Sequence, residues 1–171
     1  MFRRALVPTD GSGVADAAVE PAVQAVAPGG ELVIVTIIAP REQLLAATAR
    51  AGAAGRSARV AAELAERAHE GQRAEAAERL QRTSDRARTA GGRVSRTLIE
   101  EGDPGPMIVR LAEALDCDVI VMSTNGRSGW RRAILGSVTD YVAKQSEQVP
   151  VLLVRHAASE RTAAGGAGDP D

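Results

Sequence analysis

Residues 118–155 read DVIVMSTNGRSGWRRAILGSVTDYVAKQSEQVPVLLVR, and this stretch decides the fold. Val119 to Met122 is an unbroken apolar run rich in β-branched residues. A strand that is apolar on both sides suits a parallel sheet covered by helices on each face. Ser123 to Gly129 is small and polar, as a loop requires. Gly136-Ser137 opens a helix in which Val138, Tyr141 and Val142 recur at helical spacing. Val151 to Val154 forms a second apolar strand. Strand, loop, helix and strand in succession define one unit of a parallel α/β sheet.

Upstream, the same alternation repeats. Arg4 to Thr9 reads as a strand ending at Asp10, and Gly11-Ser12-Gly13 turns the chain. An Ala-rich amphipathic helix follows from Val14 to Val26, stopped by Pro28-Gly29-Gly30. Glu31 to Ile38 is a nearly all-apolar second strand, ended by Pro40. Arg93 to Glu100 alternates apolar and polar residues and reads as an edge strand. Asp103-Pro104 suits an N-cap and first helical residue. The helix after it carries Ile108, Leu111, Ala112 and Leu115 on one face.

Between strands two and three lies an insert, residues 41–92, rich in Ala, Arg and Glu. Ser57 to Ala90 reads as a long solvated helix covering the sheet, with Val60, Leu64, Ala68, Ala76, Leu80 and Ala87 on one face; a regulatory or partner-binding role is the alternative. Glu63–Arg67, Glu75–Arg79 and Glu78–Arg82 are favourable i,i+4 pairs. Arg41 to Gly55 reads as a mobile loop or a short helix. His69 has no partner that marks a ligand site.

The expected fold is therefore α/β: a single open five-stranded parallel sheet in the order 3-2-1-4-5, with helices on both faces. One domain spans residues 1–156, and the Ala/Gly-rich tail 157–171 lacks the apolar bulk to fold. In this order the connections from strands 1 and 4 leave in opposite directions and open a crevice. Asp10 and the Ser123–Gly129 loop would meet there.

The chemistry that suits such a crevice is phosphate binding. Glycines admit close backbone approach, and a helix N-terminus offers unpaired N–H groups with positive partial charge. Gly126, Gly129, Gly136 and Ser137 are the candidates. A Ser137–Asp140 capping box is a structural alternative compatible with backbone binding. Arg127, Arg131 and Arg132 would neutralise phosphate charge or form a solvated face, and Trp130 would shield the site or pack on the surface. GSGVAD at 11–16 superficially resembles a dinucleotide fingerprint, but Asp16 replaces its third glycine. Asp10 is either a ligand residue or the cap of the following turn.

The spacing also resembles the C-terminal signature of the universal stress protein family, G-x2-G-x9-G-[ST]. Gly126, nine residues and Gly136-Ser137 match its second half, and Ser123 stands where its first glycine falls. The resemblance implies an adenine nucleotide alpha hydrolase-like fold. It implies ATP, with Mg²⁺, in the strand 1/strand 4 crevice. Asp10 of P-T-D-x-S would contact the adenine end, and backbone groups of Thr36 and Ile37 would meet adenine. Ser123, Gly126, Arg127, Gly129, Gly136, Ser137, Val138 and Thr139 would surround the phosphates. It also implies a homodimer paired through the last strand and a role in stress response. Two other readings stand beside it: a slow ATPase and a nucleotide-free dimeric scaffold. Catalysis is disfavoured by the lack of a G-x4-G-K-[ST] loop and of an evident base near Ser123–Ser137.

Composition bounds the rest. A net charge of −1 gives no signal for nucleic acid. Cys117 is the single cysteine, which excludes an internal disulfide, and its place before a buried strand predicts an inert core thiol. No apolar run reaches the ~18 residues of a membrane span and no leader pattern opens the chain, so the expected location is the cytoplasm.

Overall fold

The computed structural model describes residues 1–51, 58–125 and 136–156. Among them, five strands form one parallel sheet. They are β1 (Phe2–Pro8), β2 (Val26–Ile38), β3 (Val94–Glu101), β4 (Val119–Asn125) and β5 (Val151–His156). The order is β3-β2-β1-β4-β5, with every pairing parallel, as the sequence predicts. The helices are α1 (Gly13–Asp16), α2 (Val19–Ala25), α3 (Arg41–Ala51), α4 (Ala58–Thr89), α5 (Pro104–Ala114) and α6 (Ser137–Gln145). The tail 157–171 lies outside the described residues.

The three central strands are apolar on both faces because each face has its own helical layer. Ala5 and Val7 of β1, Leu32 and Ile34 of β2, and Val119 and Val121 of β4 point one way. They pack with Val19 and Ala22 of α2 and Leu80 and Ala87 of α4. Their neighbours Leu6, Val33, Val35, Ile120 and Met122 point the other way, onto Ile108 and Ala112 of α5 and Val142 of α6. This is the period-2 alternation of a strand applied twice. Leu6, Ile34 and Ile120 are wholly buried, and such burial contributes about 1.5–3 kcal/mol per side chain.

Several expectations are corrected. The single helix Val14–Val26 is two short helices. Ala17 and Ala18 bond to carbonyls three residues back, at Val14 and Ala15, which tightens the chain into a 3₁₀ turn. Pro21 then falls within the first turn of α2, where its missing N–H costs nothing. β2 begins at Val26, and Pro28-Gly29-Gly30 is accommodated as a register shift between Phe2↔Val26 and Arg4↔Glu31.

The predicted face of α4 holds only in its second half. Ala76, Leu80 and Ala87 are buried, together with Ala65, Thr83 and Ser84. Val60 and Leu64 are exposed; α3 is the element packed most extensively on α4. Glu75–Arg79 and Glu78–Arg82 pair at 2.9 and 3.8 Å, and Glu63 faces Arg59 at 3.7 Å. His69 does have a neighbour: its Nε2 lies 3.0 Å from Oε1 of Glu101, but off the line a hydrogen bond needs.

At the N-terminal end of the sheet, charged groups pin neighbouring strands. The Asp118 carboxylate accepts the N–H groups of Arg3 (2.5 Å) and Arg4 (3.0 Å), which joins β4 to β1. Arg4 in turn donates to Glu31 (2.5 Å) and to the Leu115 carbonyl (2.6 Å). The two backbone N–H groups hold the Asp118 carboxyl below its ordinary range, and the Arg4 hydrogen bond does the same for Glu31. Cys117 is buried, and burial pushes its thiol up to about 11, so the reactive thiolate is scarce.

Candidate functional site

The C-terminal ends of β1 and β4 lie side by side, and their connections depart to opposite faces of the sheet. Open α/β sheets bind ligands at such a switch point.

The β1 side is built by a short network. Thr9 is buried. Its Oγ1 donates to Oδ1 of Asp16 at 3.0 Å and accepts the Gly11 N–H at 2.9 Å. Gly11 has φ +76, the left-handed region glycine favours. Asp10 Oδ1 accepts the Ser12 N–H at 2.9 Å, closing an Asx turn. Asp10 is exposed at the crevice end of the strand, so its turn-forming bond leaves the carboxylate in contact with solvent. Ser12 caps α1 by accepting the Ala15 N–H at 3.1 Å. GSGVAD is thus a capped turn.

Thr36 and Ile37 separate in role. The Thr36 hydroxyl donates to the Thr9 carbonyl at 2.9 Å. The Val35 carbonyl accepts from Thr9 N–H, so the backbone of Val35, and with it Ile37, faces the β1 side. The backbone of Thr36 faces β3 instead. The β1 ladder ends at Pro8↔Val35. Ile37 therefore presents its N–H and C=O just past the end of β1, where a ligand edge can meet them.

On the β4 side, the Ser123 hydroxyl donates to the Val14 carbonyl of α1. The side chain in the motif-glycine position is therefore turned toward α1. It ties the end of β4 to the Asp10 turn, bringing together segments more than a hundred residues apart.

The third component is the start of α6. Gly136 is its N-cap, with no side-chain capping bond. The first bond of the helix runs from Asp140 N–H to Gly136 O, so the N–H groups of Ser137, Val138 and Thr139 have no partner within the helix. The predicted Ser137–Asp140 capping box does not form. Asp140 is bound to Lys144 at 2.7 Å instead, an i,i+4 pair. Gly136 and Ser137 are exposed. A Cβ placed on Gly136 would meet no atom of the described residues within 4 Å. Thr139 is buried and Val138 packs on the core, so these two offer backbone rather than side chain to the crevice. Gly126, Arg127 and Gly129, with Trp130, Arg131 and Arg132, lie outside the described residues.

The sequence assigns no site role to Asp16, Arg79 or Thr83. Thr83 of α4 donates to the same Asp16 Oδ1 at 2.9 Å, and the Arg79 stem packs on Gly11. A threonine and an arginine on a polar helix carry no local signal of such contacts.

This arrangement defines an α/β protein whose sheet opens, at its switch point, beside a helix N-terminus that no side chain among the described residues caps. Residues 1–155 match the sequence model of the Universal stress protein family, and the chain belongs to that family. It is 37% identical over 76 residues to universal stress protein MJ0531 of Methanocaldococcus jannaschii, covering 44% of each chain. It is 38% identical over 60 residues to MJ0577 of the same organism, covering 35% of this chain and 36% of that one. These matches span less than half the length of the curated relatives. Structural similarity extends further. The solved structure of MJ0577 has a TM-score of 0.69 at 26% identity, over 93% of this chain and 99% of that one. A universal stress protein solved in complex with cAMP has a TM-score of 0.60 at 25% identity, over 91% and 98%.

Proposed function

We propose that the chain is a nucleotide-holding regulatory protein of the stress response, binding ATP with Mg²⁺ in the crevice between β1 and β4. The observation that carries this reading is the start of α6: among the described residues its first N–H groups have no partner, no side chain caps it, and the space in front of Gly136 is open. Gly126, Gly129, Gly136 and Ser137 hold the phosphates, helped by the N–H groups of Val138 and Thr139 and by Arg127. Asp10 and the backbone at Thr36–Ile37, chiefly that of Ile37, take the adenosine end. The complex of a relative with cAMP supports an adenine nucleotide as the ligand class.

Holding is favoured over efficient catalysis, with slow hydrolysis as the alternative. Phosphoryl transfer needs a placed carboxylate or base, and Asp140, in the first turn of α6, is engaged by Lys144. The protein acts in the cytoplasm as a homodimer joined through β5. That edge strand exposes Leu152 and Leu153, and exposed apolar edges favour pairing with another strand. Sedimentation of a single monomeric mass at micromolar concentration would remove the dimer.

The nucleotide is tested by extracting freshly purified protein and identifying released small molecules by mass spectrometry. Near-stoichiometric ATP supports the reading. ADP or AMP in its place favours slow hydrolysis. An empty extract followed by a failed ATP–Mg²⁺ titration leaves a nucleotide-free scaffold.

A further inference from the structure

The helix α4 belongs to the insert, yet it reaches the crevice. Its residue Thr83 is buried, and its one hydroxyl proton has two acceptors in range, Asp16 Oδ1 at 2.9 Å and the Arg79 carbonyl of its own helix at 3.0 Å; the first of these links α4 to the turn. The same oxygen accepts the Thr9 hydroxyl at 3.0 Å, and Thr9 Oγ1 accepts the Gly11 N–H at 2.9 Å. A chain of hydrogen bonds thus runs from α4 to the backbone beside Asp10. One turn earlier, Arg79 lies over the same loop. A Cβ on Gly11 would come within 2.5 Å of Arg79 Cδ and 2.9 Å of its Cβ, so the arginine stem occupies the space a side chain there would fill. Its guanidinium donates to Glu75 at 2.9 Å and, through a longer contact of 3.4 Å, to the Asp10 carbonyl. Ser123 ties the far side of the same segment, at Val14, to β4.

We infer that Thr83 and Arg79 are positioning residues for the ligand site: α4 sets the conformation of the Asp10 turn. The inference rests on the proposed nucleotide site for its functional meaning, and on the hydrogen-bond chain for its existence. Two short polar links and one packed stem determine where Asp10 stands. Thr83 acts through Asp16 and Thr9, and Arg79 through Gly11 and the Asp10 carbonyl. Coupling of this kind is reciprocal. A ligand that fixes the Asp10 turn also tightens the docking of α4, so the outer face of the insert reports occupancy of the crevice.

Thr83→Val keeps the shape and removes the hydroxyl, and Thr83→Ser restores it. The test measures amide exchange by NMR on the full, unliganded chain of wild type and both variants. Loss of one linking hydrogen bond predicts roughly tenfold faster exchange at Gly11 and Asp16 in Thr83→Val, with recovery in Thr83→Ser. Amides of Leu80 and Ala87 on α4, and of Val7 in β1, keep their wild-type rates. Unchanged rates at Gly11 and Asp16 overturn the inference. So does equal acceleration all along α4, which marks a merely structural threonine. In a parallel ATP–Mg²⁺ titration, Thr83→Val weakens binding by a similar factor while inorganic phosphate is affected less. Faster exchange with unaltered ATP affinity overturns the positioning role. If wild type binds no adenine nucleotide, the proposed function fails, and the exchange data alone still decide whether α4 holds the turn.

Discussion

In the proposed site, Asp10 would carry two duties at one carboxylate. It closes the turn through the Ser12 N–H, and its exposed position at the end of β1 offers further acceptor capacity to a ligand. These duties can be separated. Asp10→Ala should weaken ATP roughly ten- to hundredfold, the range for a lost hydrogen bond to a charged group, and weaken inorganic phosphate far less. Calorimetric titration of both ligands checks this; equal losses would make the residue structural. The Asp10 position at a strand end was legible because strand ends are where such sheets bind. The orientation of Ser123 was not. A serine in place of a glycine suggests a narrowed phosphate pocket, but the hydroxyl turns to the Val14 carbonyl. That carbonyl is distant in sequence, and only the folded sheet brings it near.

Among elements, the central strands were the most legible. Strands buried on both faces are apolar throughout, and β1, β2 and β4 announce themselves in that way. Helix boundaries were less so. A 3₁₀ turn at Ala17–Ala18 splits the first helix, and Val60 and Leu64 fit the apolar period of α4 although they are exposed. Periodicity records which residues can share a face, not how far a neighbouring layer extends to cover it. The pinning of strands at the N-terminal end of the sheet leads to a pH prediction. Asp118 and Glu31 both have lowered carboxyl pKa values in the folded chain. Their contribution is fully present above the unfolded value of about 4 and is lost as pH falls through the folded values. Thermal midpoints should therefore drop as pH falls below about 4. Asp118→Asn should lower the midpoint at neutral pH and flatten that acid slope. An unchanged slope in the variant would show that the Asp118 link to Arg3 and Arg4 adds nothing.

At the scale of the whole molecule, the proposed site is an assembly of three parts: the Asp10 turn after β1, the end of β4, and the start of α6. Sheet order juxtaposes the first two, which the alternating pattern of strands and helices foretold. The grip of α4 on the first part was hidden, because Thr83 and Asp16 are distant in sequence and neither belongs to a motif. The three parts converge on the claim that phosphate sits against the backbone at Gly136. The most direct measurement is an ATP–Mg²⁺ calorimetric titration of wild type and Gly136→Val, with thermal melting alongside. Gly136 has φ −54 and ψ 150, which valine tolerates, and its Cβ would meet no described atom. The account predicts a folded variant melting within about 5 °C of wild type, with ATP affinity reduced roughly tenfold or more because the added side chain enters the space assigned to the phosphates. Wild-type affinity in Gly136→Val would contradict it.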